Sequence, residues 1–386
     1  MPLSIALKEN KNTLTYSGKG SINDLDSVIS KFKNVLVFNG VTGYKASGAK
    51  TYFKGLGKRI AETTTLNFFP YAGKSLPLED IETIYKDVSL IEGADLIIAV
   101  GGGTVIDLAK VISIAYSNQS QTISEAIDNP ELENFLDLLF IPTTVGTGSE
   151  GTSFAVLYKD KKKLSVDKKS LLPDYIVLDP ELLKSLPDCV QHSTVLDALA
   201  QSIESIWAKG ATIVSREYAA EAIELILTHF KKGSRQRLAQ LQIGSHLAGR
   251  AINISRTTMA HSISYPFTAH FGIDHGKAVF LTLPQLAVLN YNTGKDQLQE
   301  GLDLNHIKEA FEVLFEASAV GNIEEFVAKL DEVTDEFGVP KRLSEYGVKE
   351  SDLPKMAAEA MSNKRSQNNP RKINQEEVMS MLKAIL

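Results

Sequence analysis

One cysteine, Cys189, in 386 residues leaves no pair for an internal disulfide and no thiolate set for a zinc site. Its neighbours, "LPDCVQH", include no lysine or arginine that would stabilise a reactive thiolate. Any bound metal is therefore expected on nitrogen and oxygen ligands. No apolar run approaches the roughly 20 residues of a membrane span, so no membrane partner is expected. A basic excess is missing too: 41 Lys and Arg face 47 Asp and Glu, a net charge of −6. With its basic residues scattered, the chain is not expected to bind nucleic acid, and "KDKKK" (159–163) reads as the solvated tip of a hairpin. The opening "MPLSIALKENKN" has none of the marks of a secretory signal, which gives a cytoplasmic expectation. What remains is the composition of an ordinary globular protein, long enough for two domains.

The two halves are patterned differently. "NVLVFNG" (34–40), "DLIIAVGGG" (95–103), "LLFIPTT" (138–144) and "DYIVLDP" (174–180) are β-rich runs that end at glycine, threonine or proline. Helix-like stretches such as "LEDIETIYKDVSLIEG" (78–93) lie between them, so residues 1–182 are expected to form an α/β domain on a parallel sheet. "FAVLYKDKKKLSVD" (154–167) fits an inserted hairpin. Beyond "LDPELLKSLP" the strand-like runs nearly vanish. "SREYAAEAIELILTHF" (215–230) sets Ala219, Ala222, Ile223, Ile226, Leu227 and Phe230 on one helical face, and residues 183–386 are expected to be an all-helical domain.

Two loops of the first half carry chemistry. "AVGGGTVIDLAK" (99–110) is a strand, then Gly101, Gly102 and Gly103, then a helix opening with Thr104. Glycines let the backbone approach a pyrophosphate, and the helix start offers N–H groups to it, with Asp107 one turn further on among the candidate cofactor contacts. The plain alternative is a strand-to-helix turn, with Asp107 a first-turn acid and Lys110 a surface lysine. "IPTTVGTGSE" (141–150) also follows a strand, and its Thr143, Thr144 and Thr147 suit hydrogen bonds to ribose and nicotinamide; it could equally be a polar loop.

In the second half, "STVLDALAQSIES" (193–205) sets Asp197 and Gln201 four apart on an otherwise apolar helical face. Either they satisfy each other, or they reach a cation that is also seen by His261 and His275 of "AHSISYPFTAHFGIDHG" (260–276). A carboxylate, two imidazoles and an amide oxygen would suit Zn(II) or Fe(II) better than Mg(II).

Taken together and in this order, "GGGTVIDLAK", "IPTTVGTGSE", "LDPELLKSLP", "DALAQSIES" and "AHSISYPFTAHFGIDHG" resemble the iron-containing alcohol dehydrogenases, whose fold is shared by glycerol dehydrogenase and dehydroquinate synthase. The resemblance runs from about the first strand to "NNPRK" (368–372). It implies a dinucleotide domain, a helical domain, and a cleft between them that holds NAD(P)H and a divalent metal. The family usually ligates its metal with one aspartate and three histidines. Asp197, His261 and His275 match, but Gln201 stands where a histidine is usual, which implies weak or partial metal occupancy. Tyr265 replaces a further histidine and is a candidate proton donor, or else packs beneath the nicotinamide. Lys163 matches a position at which relatives place a lysine near the cofactor; as a turn lysine it would simply be solvated. Asn39, with Gly40, stands where NAD-preferring relatives carry an acid, so a 2′-phosphate meets no repulsion there and Lys45 would attract it.

Within the family these departures resemble the 2-hydroxyethylphosphonate dehydrogenases, also called phosphonoacetaldehyde reductases. That branch implies a small phosphonate-bearing aldehyde as substrate and a fixed positive charge to receive it. Arg256 is the first candidate, and Arg365 and Arg371 of "KRSQNNPRK" (364–372) are weaker ones. His261 and His275, besides ligating, would polarise the carbonyl directly if no metal were bound. His192, His229, His246, His270 and His306 read as structural or surface groups. The alternatives are a general short-chain alcohol dehydrogenase, a metal-dependent carbocyclising lyase of the dehydroquinate synthase type, and a nucleotide-binding protein without catalysis. A homodimer is the family expectation.

Overall fold

The computed structural model describes residues 13–160, 162–234, 236–362 and 364–386. The chain divides into two compact units after Pro187. The link from 179 to 187 stays with the first unit because Asp179 accepts bonds from the Gly20 and Ile22 amides and Leu182 packs into that unit's core.

Among the described residues the first unit has eight strands: β1 (Leu14–Ser17), β2 (Asn34–Gly40), β3 (Thr65–Tyr71), β4 (Leu96–Gly101), β5 (Asp137–Pro142), β6 (Phe154–Lys159), β7 (Lys162–Asp167) and β8 (Tyr175–Leu178). Six of them form a parallel sheet in the order β1-β8-β5-β4-β2-β3. The other two, β6 and β7, make a separate antiparallel hairpin where the sequence places it. The helices are α1 (Asp26–Ile29), α2 (Val41–Ala46), α3 (Ala49–Arg59), α4 (Leu78–Val88), α5 (Gly103–Ser117) and α6 (Ile123–Asp128).

Strand side chains alternate between faces, and both faces are covered. Ile97, Ala99, Leu138 and Phe140 join a core with α4, α5 and α6, while Leu96, Ile98, Val100, Leu139 and Ile141 join one with α1 and α3. That double burial is why the inner strands read as continuous apolar runs. The edge strand β3 tolerates Pro70, which an inner strand would not.

The second unit is helical: α7 (Asp188–Trp207), α8 (Ile213–His229), α9 (Arg237–Ser255), α10 (Met259–Phe271), α11 (His275–Phe280), α12 (Leu283–Tyr291), α13 (Leu304–Ser318), α14 (Ile323–Glu336), α15 (Leu353–Met361) and α16 (Gln375–Ala384), with short 3-10 turns. Helix α7 is buried on every side from Val195 to Trp207 and packs against α8, α9, α11 and α13. An enclosed helix of that kind can carry a polar side chain only where a partner awaits it. No helix among the described residues is long and apolar enough to cross a membrane.

Candidate active site

In the first unit the two loops meet. Strand β4 pairs with β5 through Gly101 opposite Pro142, and the Thr143 amide bonds the Gly101 carbonyl at 3.0 Å. Side chains on Gly102 and Gly103 would fill the space between the loops, and one on Gly101 would strike the start of α5. A Cβ at Gly103 would stand 2.7 Å from Thr147 Oγ1, one at Gly102 3.3 Å from Thr144, and one at Gly101 2.8 Å from Val105. Helix α5 starts at Gly103 with no side-chain cap, so its first N–H groups are of the kind that receives a phosphate. Thr104 is partly exposed at that start.

Two residues of this helix differ from the sequence reading. Asp107 is expected at the cofactor, but its two carboxylate oxygens take bonds from Ser149 Oγ (2.6 Å) and the Val156 amide (3.0 Å). It fastens α5 to the second loop and to the hairpin. Lys110 is no surface lysine. It is fully buried, and its Nζ donates to the carbonyls of Ser149 and Thr152, both at 2.7 Å, and of Phe154 at 2.9 Å. Burial brings its pKa down to about 8, against the opposing pull of the Asp107 carboxylate. Lys163 is partly buried in β7 opposite Tyr158; burial raises the Asp107 pKa above the usual carboxylate value, and the Lys110 and Lys163 charges oppose that rise without cancelling it.

Asn39 is buried at the end of β2. It borders a groove of about 850 Å³ whose wall includes Lys45, Lys50, Lys54 and Lys58. No aspartate or glutamate is among the residues lining it.

In the second unit the polar residues of α7 meet those of α10 and α11. Ligand atoms of Asp197, His261 and His275 all lie within 4.8 Å of one another. Asp197 Oδ1 is 3.3 Å from His261 Nε2 and 3.9 Å from His275 Nε2. The first two residues are buried, whereas the His275 side chain is 35% exposed, so the set is open on one side. An open position is the mark of a catalytic rather than a structural metal site.

Asp197 Oδ1, Gln201 Oε1 and His261 Nε2 are buried without hydrogen-bond partners, the condition expected of donors shaped for a cation. The residues therefore fit a divalent metal. Burial alone would raise the Asp197 pKa, but His261, His275 and the adjacent Gln201 amide hold it below the usual carboxylate range.

Glu204 belongs to the site although the sequence reading does not single it out. Seven residues after Asp197 on α7, it is fully buried, and its Oε2 accepts a bond from His261 Nδ1. Its Oε1 accepts from Thr258 Oγ1 (2.6 Å) and the Ala260 amide (2.8 Å), and Trp207 Nε1 donates to Thr258 Oγ1 (3.0 Å). This carboxylate fixes the imidazole tautomer and turns Nε2 toward Asp197. Burial opposes a charged His261, but the Glu204 and Asp197 carboxylates outweigh it and lift its pKa to about 9. The sequence does hold a signal: Asp197, Gln201 and Glu204 stand at i, i+4 and i+7 and so fall on one face of the helix.

His275 is placed by its neighbour. A Cβ on Gly276 would collide with the Ser193 carbonyl oxygen and lie 2.8 Å from the Asp197 amide, so only glycine lets the start of α11 meet the backbone of α7. The Tyr265 ring stacks parallel to His275, with centroids 6.0 Å apart, and the Arg365 guanidinium carbon lies 5.8 Å from the centroid of the same Tyr265 ring.

Of the three arginine candidates, Arg371 is bound to Glu377 at 2.6 Å and is part of the packing. Arg256 closes α9 with φ of 64°, an unusual backbone state for a side chain of its size. Arg365 stands beside Tyr265. His270 bonds Glu359, His306 bonds the Trp207 carbonyl, His192 stacks on Phe337 and His229 bonds Ser234, all away from the site.

A parallel α/β unit with glycine- and threonine-rich loops after its strands, and a helical unit carrying an aspartate and two histidines in ligating array, are the parts of a metal-assisted dehydrogenase. The chain belongs to the iron-containing alcohol dehydrogenase family: residues 12–180 match the model of iron-containing alcohol dehydrogenase, and residues 191–386 match the C-terminal model of that family. It is an oxidoreductase of alcohols and aldehydes, in a family that binds NAD(P) and a metal. Over 396 residues it is 28% identical to the NADPH-dependent butanol dehydrogenase of Clostridium saccharobutylicum, covering 96% of this chain and 95% of that one. It is 30% identical to the phosphonoacetaldehyde reductase of Streptomyces viridochromogenes over 75% of each chain. The iron-containing alcohol dehydrogenase of Thermococcus thioreducens superposes with a TM-score of 0.85 at 23% identity, over 97% of this chain and 98% of that one.

Proposed function

We propose that the protein reduces a small aldehyde bearing an anionic group, with phosphonoacetaldehyde as the representative substrate and 2-hydroxyethylphosphonate as the product, at the expense of NAD(P)H. The observation that carries the reading is the convergence of Asp197, His261 and His275 beside Gln201, with Glu204 behind His261. Asp197, Gln201, His261 and His275 would hold a divalent ion, Fe or Zn, which when bound supplies a Lewis acid for the aldehyde oxygen.

The rest falls to the chain itself. Gly101, Gly102, Gly103 and Thr104 cradle the pyrophosphate, while Thr143, Thr144 and Thr147 bond the ribose and carboxamide. Asn39 receives the adenosine ribose without a carboxylate to repel a 2′-phosphate, and the lysine-walled groove beside it favours NADPH. Glu204 keeps His261 oriented, and Tyr265, four residues beyond His261 on α10, is the candidate source of the alcohol proton. The net reaction takes two electrons and one proton from the dinucleotide and one proton from solvent. The phosphonate half of the reading draws on the 30% relative that reduces phosphonoacetaldehyde.

A second reading, a general short-chain alcohol dehydrogenase, is favoured by the butanol dehydrogenase that matches along nearly the whole chain. The test is steady-state oxidation of NADH and NADPH with phosphonoacetaldehyde and with butyraldehyde, before and after chelation and with Zn(II) or Fe(II) restored. Preference for the phosphonate, lost on chelation and regained with metal, is the expected result. Equal use of the two aldehydes would favour the second reading. Turnover untouched by effective chelation would remove the metal, and a sugar phosphate converted without net NAD(P)H loss, with neither aldehyde reduced, would make the protein a lyase.

A further inference from the structure

We propose that Arg365, rather than Arg256, receives the anionic end of the substrate. The inference rests on the reading above, that an anionic aldehyde is reduced at the Asp197, His261 and His275 site.

Three observations carry it. The first is reach. The Arg365 guanidinium carbon is 5.8 Å from the Tyr265 ring centroid, and that centroid is 6.0 Å from the His275 ring, so the cation stands less than 12 Å from a proposed ligand. A two-carbon aldehyde with a terminal phosphonate spans about 4–5 Å from carbonyl oxygen to outer phosphonate oxygen by ordinary bond lengths. With a polar contact of about 3 Å at each end it bridges about 10–11 Å.

The second is chemistry. A guanidinium carries its N–H donors in a planar fork that matches phosphonate, sulfonate or carboxylate oxygens, and Arg365 gives one of them to Thr257 Oγ1. Arg365 is only partly buried, so a ligand can approach it.

The third is construction. The 3-10 turn Lys364–Asn368 is held by its last residue. Asn368 Nδ2 donates to the carbonyls of Ser255 (2.8 Å) and Thr257 (3.1 Å), its Oδ1 accepts from the Gly210 amide (3.0 Å), and its carbonyl accepts from the Lys209 amide (2.8 Å). Next to it Asn369 is fully buried and bonds Asn290 in both directions, at 2.9 and 3.2 Å. Arg365 Nη1 itself donates to Thr257 Oγ1. A solvated arginine would need no such frame. The same residue, Asn368, holds the carbonyls on either side of Arg256, whose φ is 64°.

The test compares wild-type enzyme with Arg365→Lys, Arg365→Met and Arg256→Met, all metal-loaded, and measures kcat/KM for phosphonoacetaldehyde and for butyraldehyde. The preference for the phosphonate should fall about 100-fold in R365M, mainly through KM, and by less in R365K, which keeps the charge and loses the fork. In parallel, 2-hydroxyethylphosphonate should raise the thermal midpoint of the wild type and not that of R365M, a readout that does not depend on turnover. If the wild type prefers the phosphonate and R365M keeps that preference, the assignment is overturned. It is overturned equally if R256M alone loses the preference, and Arg256 is then the ligand. If the wild type itself shows no preference, it is the anionic-substrate reading that has failed.

Discussion

His261 Nδ1 is bonded to Glu204 Oε2, and its Nε2 faces Asp197 Oδ1 at 3.3 Å, so one imidazole joins a buried orienting carboxylate to the proposed ligand set. Replacing Glu204 with Gln keeps the size and one acceptor but removes the charge that sets the tautomer. Glu204→Gln should weaken Zn(II) binding about 10–100-fold. Chelator competition followed by equilibrium dialysis would measure this. Unchanged affinity would leave Glu204 as packing alone.

Gln201, in the proposed ligand set, would supply a neutral amide oxygen where the family usually has an imidazole. Gln201→His would give four strong donors from residues whose backbone positions already face one another, and metal affinity should rise at least about tenfold. The as-purified metal content of wild type and variant reads this directly. Equal occupancy in both would mean that the amide is not a ligand.

Gly276 sits where α11 touches α7. An alanine there must push aside the Ser193 carbonyl or the Asp197 amide, since its Cβ would overlap the first and lie 2.8 Å from the second. Gly276→Ala should cost about 2–4 kcal/mol of stability and lower metal stoichiometry as His275 moves off Asp197. Denaturant unfolding and metal analysis on the same preparation test the two effects together. A stable, fully loaded variant would show that the helices separate easily.

How much of this is legible in the sequence depends on what kind of contact each residue makes. Asp197 and Gln201 stand out because polar groups four apart on an apolar helical face need a reason, whereas His261 and His275, which lie on separate helices, join them through the resemblance to the family. Gly101–Gly103 and the threonines of 143–147 stand out because strand-then-glycine is a local pattern. Glu204 carries the same signal on the face of Asp197, but what it bonds, Thr258 and Ala260 some fifty residues away, is set only by the tertiary fold. Lys110 reads as a surface residue for the same reason: its three carbonyl partners belong to a loop and a strand that only the tertiary fold brings beneath α5. Strands β1 and β3 escape the sequence pattern as well. Both are sheet edges, where half-exposure blurs the apolar run that marks the inner strands.

Lys110 gives a pH-dependent prediction. Its ammonium closes a buried cluster with the Ser149, Thr152 and Phe154 carbonyls near Asp107, and Lys110→Met would leave those acceptors and that carboxylate without their cation. The variant should lose about 3–5 kcal/mol at neutral pH. The pKa is about 8 in the folded protein against 10.5 for an exposed lysine, so between these values the unfolded chain binds the extra proton. Wild-type stability from this group is therefore flat below pH 8 and rises as the pH climbs from 8 toward 10.5, and the methionine variant has no such dependence. The gap between the two proteins should widen across that window by at most about 1.4 kcal/mol per pH unit. Urea unfolding of both proteins at about pH 7 and about pH 9.5 measures it. A gap that stays the same at the two pH values would mean that the carbonyl cage stabilises the ammonium at least as much as burial destabilises it, so that the folded pKa is not below that of a free lysine.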